Sequence, residues 1–209
     1  MKKILSLIAL SLTFGLGAYA ADGPKADLFF GYSFLRANSA QTIPAFTANG
    51  GIGTFGYNFN DHWAFEAELG GYHNGNINNH EFDNTTFSYL FGIRASVNRA
   101  KRVDPYGHVL FGGQDLSSSI CCVAPTTGTG QSTTGTRLQQ DQNSFAMAVG
   151  GGLDIKMTKH MLLRPIQLDY YLTRYEAPNV NNLTGPTSNR NQNNLRYAAG
   201  IVFNFGGAQ

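Results

Sequence analysis

The chain has 209 residues, with 15 Lys+Arg against 13 Asp+Glu and charged residues at only 13%. That is about half the usual charged share of a soluble domain, so a surface wetted on every side is a poor fit. Without Lys2 and Lys3 of the first segment the 15 cations fall to 13, equal to the acids, which excludes a nucleic-acid binder that works through clustered cations.

Residues 1–20 read as a secretory signal peptide. Lys2 and Lys3 form the positive start, Ile4 to Leu16 the apolar stretch, and Ala18-Tyr19-Ala20 a small-x-small cleavage site. The apolar run is shorter than the roughly 20 residues of a spanning helix. The mature chain is then 21–209, a single domain, and no later segment has the pattern of a spanning helix.

The mature chain is a series of segments with apolar residues at every second position, the period of a β-strand. The first strand is predicted over Ala26 to Leu35, with Leu28, Phe30, Tyr32 and Phe34 on one face. The second runs over Gly50 to Phe59 with Phe55, Tyr57 and Phe59 in phase. The third, Trp63 to Tyr72, is the clearest: Trp63, Phe65, Ala67 and Leu69 share one face, Glu66 and Glu68 the other. The fourth, Thr86 to Val97, aligns Phe87, Tyr89, Phe91, Ile93, Ala95 and Val97. The fifth covers Tyr106 to Gln114, the sixth Ser144 to Lys156, the seventh Met161 to Thr173 and the eighth Leu195 to Phe205.

The connections alternate in length. Asn60-Asp61-His62, Asn98 to Asp104 and Met157 to His160 are short. Arg36 to Asn49, His73 to Thr85, Asp115 to Asn143 and Arg174 to Asn194 are long and rich in Asn, Thr, Gly and Ser. Short turns at one end and long loops at the other characterise barrels that cross an outer membrane. A soluble lipocalin-type barrel has no reason for that asymmetry, and it turns its apolar face inward. The predicted fold is all-β: an eight-stranded antiparallel up-and-down transmembrane β-barrel, with short periplasmic turns and long extracellular loops.

This phase directs Glu66, Glu68, Arg94, His108, Gln167, Asp169 and Arg196 into the lumen. A barrel of eight strands is just wide enough to be filled by side chains. Arg94 is expected near Glu66 or Glu68, and Arg196 near Asp169, so that buried charges are paired. A structural network is favoured over a proton or ion path. Pro165 in the middle of the seventh strand predicts a β-bulge, because a closed barrel has no edge to hold a proline. The bulge lets Arg164 and Asp169 both avoid lipid, or Arg164 snorkels to the interface.

Other motifs carry little. Gly51-Ile52-Gly53-Thr54-Phe55-Gly56 matches a dinucleotide-binding pattern but opens no helix; small residues in the wall account for it and for Gly150-Gly151-Gly152. Cys121-Cys122 is placed in the longest loop, where export permits a vicinal disulfide or a pairing between molecules. His73, His80, Glu81 and Asp83 lack the spacing of a metal site, and no cofactor site or metal site is assigned. Ser88 and Ser96 point inward, and no outward His-x-Ser pair supports an enzyme acting on lipid A.

The run Tyr57-Asn58-Phe59-Asn60-Asp61-His62-Trp63-Ala64-Phe65-Glu66-Ala67-Glu68 resembles the strand-turn-strand of small bacterial outer-membrane proteins of the OmpA-like and opacity-like type. Gly150-Gly151-Gly152-Leu153-Asp154-Ile155-Lys156 and Leu163-Arg164-Pro165-Ile166-Gln167-Leu168-Asp169-Tyr170 are similar to their sixth and seventh strands. The chain differs in having no peptidoglycan-binding domain after the eighth strand, and four residues follow Phe205, where the family ends on Phe. The resemblance implies a monomeric barrel in the outer membrane of a Gram-negative-type bacterium, in contact with lipid and lipopolysaccharide and inserted by the barrel-assembly machinery. It implies a structural or surface-interaction role through the loops toward an unknown extracellular ligand; the alternatives are a narrow or gated pore, and a lipid A-modifying enzyme.

Overall fold

The structure, a computed structural model, describes residues 25–38, 45–77, 82–97, 99, 101–123, 136–174 and 191–206. The signal segment lies outside them. Eight strands follow in order: β1 Ala26–Ala37, β2 Phe46–Asn58, β3 Trp63–Ile77, β4 Phe82–Ser96, β5 Val103–Val123, β6 Thr136–Lys156, β7 Met161–Arg174 and β8 Asn191–Phe205. Each is antiparallel to the next, and β8 returns to β1 to close the barrel.

The register fixes the tilt. A row of paired residues starting at Asp27 passes through Gly56, Glu66, Gly92, Leu110, Ala148, Tyr171 and Asn194 and returns to β1 at Ala37, a shear of ten residues. Ten steps of ~3.3 Å against eight strand spacings of ~4.8 Å give a tilt of about 41°.

The alternating apolar residues face outward. Trp63, Phe65 and Leu69 on β3, Phe87, Phe91 and Ile93 on β4, and Val109 and Phe111 on β5 are exposed. In water such a girdle would be a very large sticky patch; in a bilayer it is the lipid contact. It stops at a ring of exposed polar residues, one from each strand: Arg36, Asn49, His73, Thr85, Asp115, Asn143, Arg174 and Asn193. The ten residue steps from Trp63 to His73, tilted by about 41°, rise about 25 Å, the height of the apolar band of an outer-membrane barrel.

The inner-end turns are tight. In the β2–β3 turn, Asn60 Oδ1 accepts the backbone N–H groups of His62 (2.9 Å) and Trp63 (2.8 Å), the local side-chain bond that makes Asn a turn residue. In the β6–β7 turn, the Thr158 hydroxyl accepts from Met161 N at 3.1 Å.

The outer ends differ from the prediction. β2, β3, β4, β5, β6 and β8 all continue past their expected limits. Alternation of apolar and polar residues exists only where one face meets lipid, so it marks the membrane belt and not the end of a strand. Asp115 to Val123 therefore belongs to β5 and Thr136 to Asn143 to β6. Cys121 and Cys122 lie on β5 and not in a loop, where the β5–β6 register shifts between Ile120 and Val123; their side chains, and so the disulfide readings, lie outside the described ones.

Candidate functional site: an ion-paired lumen

The inward phase of each strand supplies the lumen, and glycines in the wall make room for its largest members. A Cβ on Gly56 would meet the Asp27 carboxylate, and one on Gly150 would meet the Asp169 carboxylate and the Leu168 carbonyl. Gly51 and Gly53 of the dinucleotide-like pattern sit within β2.

Near the inner end, Arg94 donates to Asp27 Oδ2 at 2.5 Å and Oδ1 at 3.2 Å, and to Asn58 Oδ1 at 3.3 Å. Its Nη1 is also 3.0 Å from Glu66 Oε1. Glu66 leads on to His108, whose Nδ1 is 2.8 Å from Glu66 Oε2 and whose Nε2 is 2.8 Å from Asp169 Oδ1. Asp169 in turn accepts from Arg196 Nη2 at 2.7 Å and Nε at 2.9 Å. Arg196 holds Glu68 through both terminal nitrogens and reaches the Tyr72 hydroxyl, which meets Ser33 Oγ at 3.2 Å. One connected chain of charges thus runs from Asp27 to Glu68.

A second branch starts at Arg164. It makes a bidentate pair with Asp154 at 2.7 and 2.9 Å and donates to Gln167 Oε1 at 3.1 Å. Its guanidinium lies 4.4 Å from the Phe29 ring centroid and 4.3 Å from that of Tyr106, a cation–π sandwich. Gln167 accepts from the Tyr106 hydroxyl at 2.8 Å and donates to Asp169 Oδ2 at 2.9 Å, joining the branches. Arg164, Arg196, Glu66, Glu68 and Asp169 are all at most 1% exposed. Unpaired charge at such depth costs several kcal/mol per ion, so a connected network is the arrangement that lets these groups stay ionised.

Pro165 explains the position of Arg164. β7 carries one extra residue in both ladders: the pairing steps from Arg164↔Gly200 to Gln167↔Ala198, and from Leu153↔Ile166 to Ile155↔Leu163. The bulge resets the phase, and the freed Pro165 carbonyl accepts from the Tyr197 hydroxyl at 2.8 Å. Arg164 consequently points into the lumen and does not snorkel.

The lumen is not polar throughout, as the alternation had suggested. Leu90, Leu110, Ala146 and Ala148 form an apolar wall on β4, β5 and β6, packed with Ile52, Leu35 and the Tyr171 ring. Toward the outer end the polar groups are neutral: Tyr171 donates to Gln114 Oε1 at 2.8 Å, and Gln192 donates to the Asn38 carbonyl at 2.9 Å. At the inner mouth, Arg99 of the β4–β5 turn donates to Ser96 Oγ at 3.2 Å while both its Nη atoms are buried without a hydrogen-bond partner. Burial and the nearby Arg94 charge lower the Arg99 pKa to about 10.

All seven lumen residues named from the sequence point inward, and the structure connects them. Asp27, Asp154, Arg164, Tyr72 and Tyr106 were not among them. Asp27 and Asp154 are in the inward phase and were readable; Arg164 takes the first of the two positions that the Pro165 bulge left open to it. Of the second-loop group, His73 faces outward with Nδ1 3.2 Å from Thr85 Oγ1. His80 and Glu81 lie outside the described residues, as does the Asp83 side chain. Among the described residues no group of His, Cys, Asp and Glu has the arrangement of a metal site.

A closed barrel with an apolar belt outside and paired charges inside is a transmembrane β-barrel of the outer-membrane type. The chain belongs to the outer membrane protein beta-barrel domain family, which matches residues 6–206. Its place is the outer membrane of a Gram-negative bacterium. Among curated proteins no sequence matches it. Among solved structures it is similar to Ail, the attachment invasion locus protein of Yersinia pestis, with a TM-score of 0.58 at 15% identity over 88% of this chain and 99% of that one. Ail in complex with the heparin analogue sucrose octasulfate is similar at a TM-score of 0.53 and 14% identity, over 88% of this chain and 99% of that one. Neisserial surface protein A has a TM-score of 0.55 at 14% identity, over 87% of this chain and 97% of that one. The outer membrane protein OprG of Pseudomonas aeruginosa has a TM-score of 0.51 at 13% identity, over 88% and 99%. At these identities the likeness concerns the fold.

Proposed function

We propose that the chain is a plugged, non-enzymatic barrel that acts at the cell surface, presenting its outer sheet and loops to an extracellular ligand. The observation that carries this reading is the height of β5 and β6. Above the polar ring the β4–β5 ladder continues to Phe82↔Ile120 and the β5–β6 ladder to Val123↔Thr136; among the described residues the β6–β7 ladder extends to Phe145↔Arg174. A sheet of β4, β5 and β6 therefore stands clear of the membrane. Residues that neither meet lipid nor fill the lumen serve contacts outside the cell. The likeness to an attachment protein, and that protein's complex with a heparin analogue, agrees with a surface role and suggests sulfated glycans as a first probe. The filled lumen speaks against the pore reading. The inward, buried Ser88 and Ser96 speak against chemistry on lipid A.

In this reading residues 1–20 are removed on export, and the barrel-assembly machinery inserts a monomer whose belt meets lipid and lipopolysaccharide. The test is to replace residues 117–142 with a short turn. Cells displaying the intact barrel should adhere to epithelial monolayers and to heparin-coated surfaces, and the trimmed barrel should fold but not adhere. Equal adhesion by both would defeat the proposal.

A further inference from the structure

Both nitrogens of the His108 ring face carboxylate oxygens, Glu66 Oε2 and Asp169 Oδ1, each at 2.8 Å. A neutral imidazole has one N–H and one lone pair. Set in direct contact with two carboxylates it would satisfy one and turn its lone pair toward the other. Charge balance points the same way. The chain from Asp27 to Glu68 holds four carboxylates (Asp27, Glu66, Glu68 and Asp169) and two guanidiniums, Arg94 and Arg196. The two guanidiniums leave the chain two positive charges short, and a protonated His108 halves that deficit.

The geometry points to His108 as a resident imidazolium that locks the plug: a proton-held brace joining β3, β5 and β7, which releases when that proton is lost. The groups around it are Glu66 from β3, Arg94 from β4, Tyr106 on its own strand, and Arg164, Gln167 and Asp169 from β7, with Arg196 from β8 behind Asp169. β6 contributes Gly150, the register partner of His108, which adds no side chain. With the proton present both ring links are charge-assisted hydrogen bonds. With it lost, one buried carboxylate faces a lone pair. A cation held by the fold contributes stability that is lost as pH rises, so the release is alkaline. The brace rests on the plugged-lumen reading and is independent of what the outer sheet binds.

The test is nitrogen NMR of barrel labelled at histidine, in detergent micelles, with unfolding midpoints measured in parallel. His108→Gln identifies the His108 signals. At about pH 7.5, a unit above the ordinary imidazole value, His108 should carry hydrogens on both nitrogens. On further rise of pH His108 should titrate, and the wild-type midpoint should fall over the same interval. H108Q should start lower and stay flat there. A neutral His108 at about pH 7.5 overturns the bound proton. A His108 titration with no change in midpoint, or the same slope in H108Q, overturns the brace. Conductance at neutral pH separately reports on the plug, so failure of the brace and failure of the plug are distinguishable.

Discussion

Replacing Arg196 by methionine keeps most of the side-chain volume and removes the charge. Arg196 is 0% exposed and is the partner of two buried acids, and the consequences for them differ. Asp169 retains His108 Nε2 at 2.8 Å and Gln167 Nε2 at 2.9 Å. Glu68 is held by Arg196 alone among the side-chain bonds of the described residues. The variant therefore leaves one carboxylate buried and uncompensated, and removes the cation–π contact with Tyr171 at 5.3 Å. Breaking a buried pair by removing one partner costs about 3–5 kcal/mol, and the loss is expected in the upper half of that range. Arg94→Ala should cost less, because Glu66 keeps His108 and Asp27 keeps the Asn58 amide at 3.3 Å. The assay is urea unfolding of the barrel in micelles, followed by the gel shift that separates folded from heat-denatured barrel. Adding Glu68→Gln to Arg196→Met should recover part of the loss, since the orphaned charge is gone. A stability of Arg196→Met within about 0.5 kcal/mol of wild type, or no recovery in the double variant, would refute the reasoning that the charges depend on one another.

Other outcomes follow from the same geometry. Phe91→Arg places a charge near the middle of the lipid belt and should cost about 2–4 kcal/mol in folding into bilayers, measured by urea titration in vesicles; a neutral effect would mean the belt is misplaced. Gly150→Val should block folding, because its Cβ meets the Leu168 carbonyl and the Asp169 carboxylate, whereas Gly71→Ala has nothing within 4 Å and should fold as wild type in the same gel assay. Arg99→Ala should leave stability within about 0.5 kcal/mol of wild type, since the guanidinium it removes has two buried nitrogens without partners; a clear loss in urea titration would show that Arg99 closes the inner mouth through contacts worth more than its desolvation.

The belt was legible because lipid imposes a strict demand. Wherever a strand crosses the membrane, every second residue must be apolar, and the eight segments appear in the sequence as eight runs. Their inner ends fall close to prediction, at Ala26, Trp63, Lys156 and Met161, because short turns with Asn60 and Thr158 fix them. Their outer ends do not, since above the ring neither face of β5 or β6 meets lipid and Ser117, Ser118, Gln139 and Gln140 carry no phase. Within the lumen, direction was readable and pairing only in part. Phase turns Glu66, Arg94, His108 and Arg196 inward, but a shear of ten residues decides which of them meet. That is why Arg94 finds Asp27, two strands beyond the neighbouring β3, and why Arg196 holds Glu68 from across the barrel. Arg164 illustrates the opposite limit: Pro165 announces a bulge, yet the sequence does not say on which side of it the phase resets.

Planar-bilayer recording of the purified barrel at neutral pH bears on all of this at once. A lumen filled by the Asp27–Arg94–Glu66–His108–Asp169–Arg196–Glu68 chain and the apolar wall of Leu90 and Leu110 should give no single-channel steps, in the wild type and in the barrel trimmed of its outer sheet alike. Stable, reproducible steps from the intact protein would contradict the plugged barrel and make the pore the better reading.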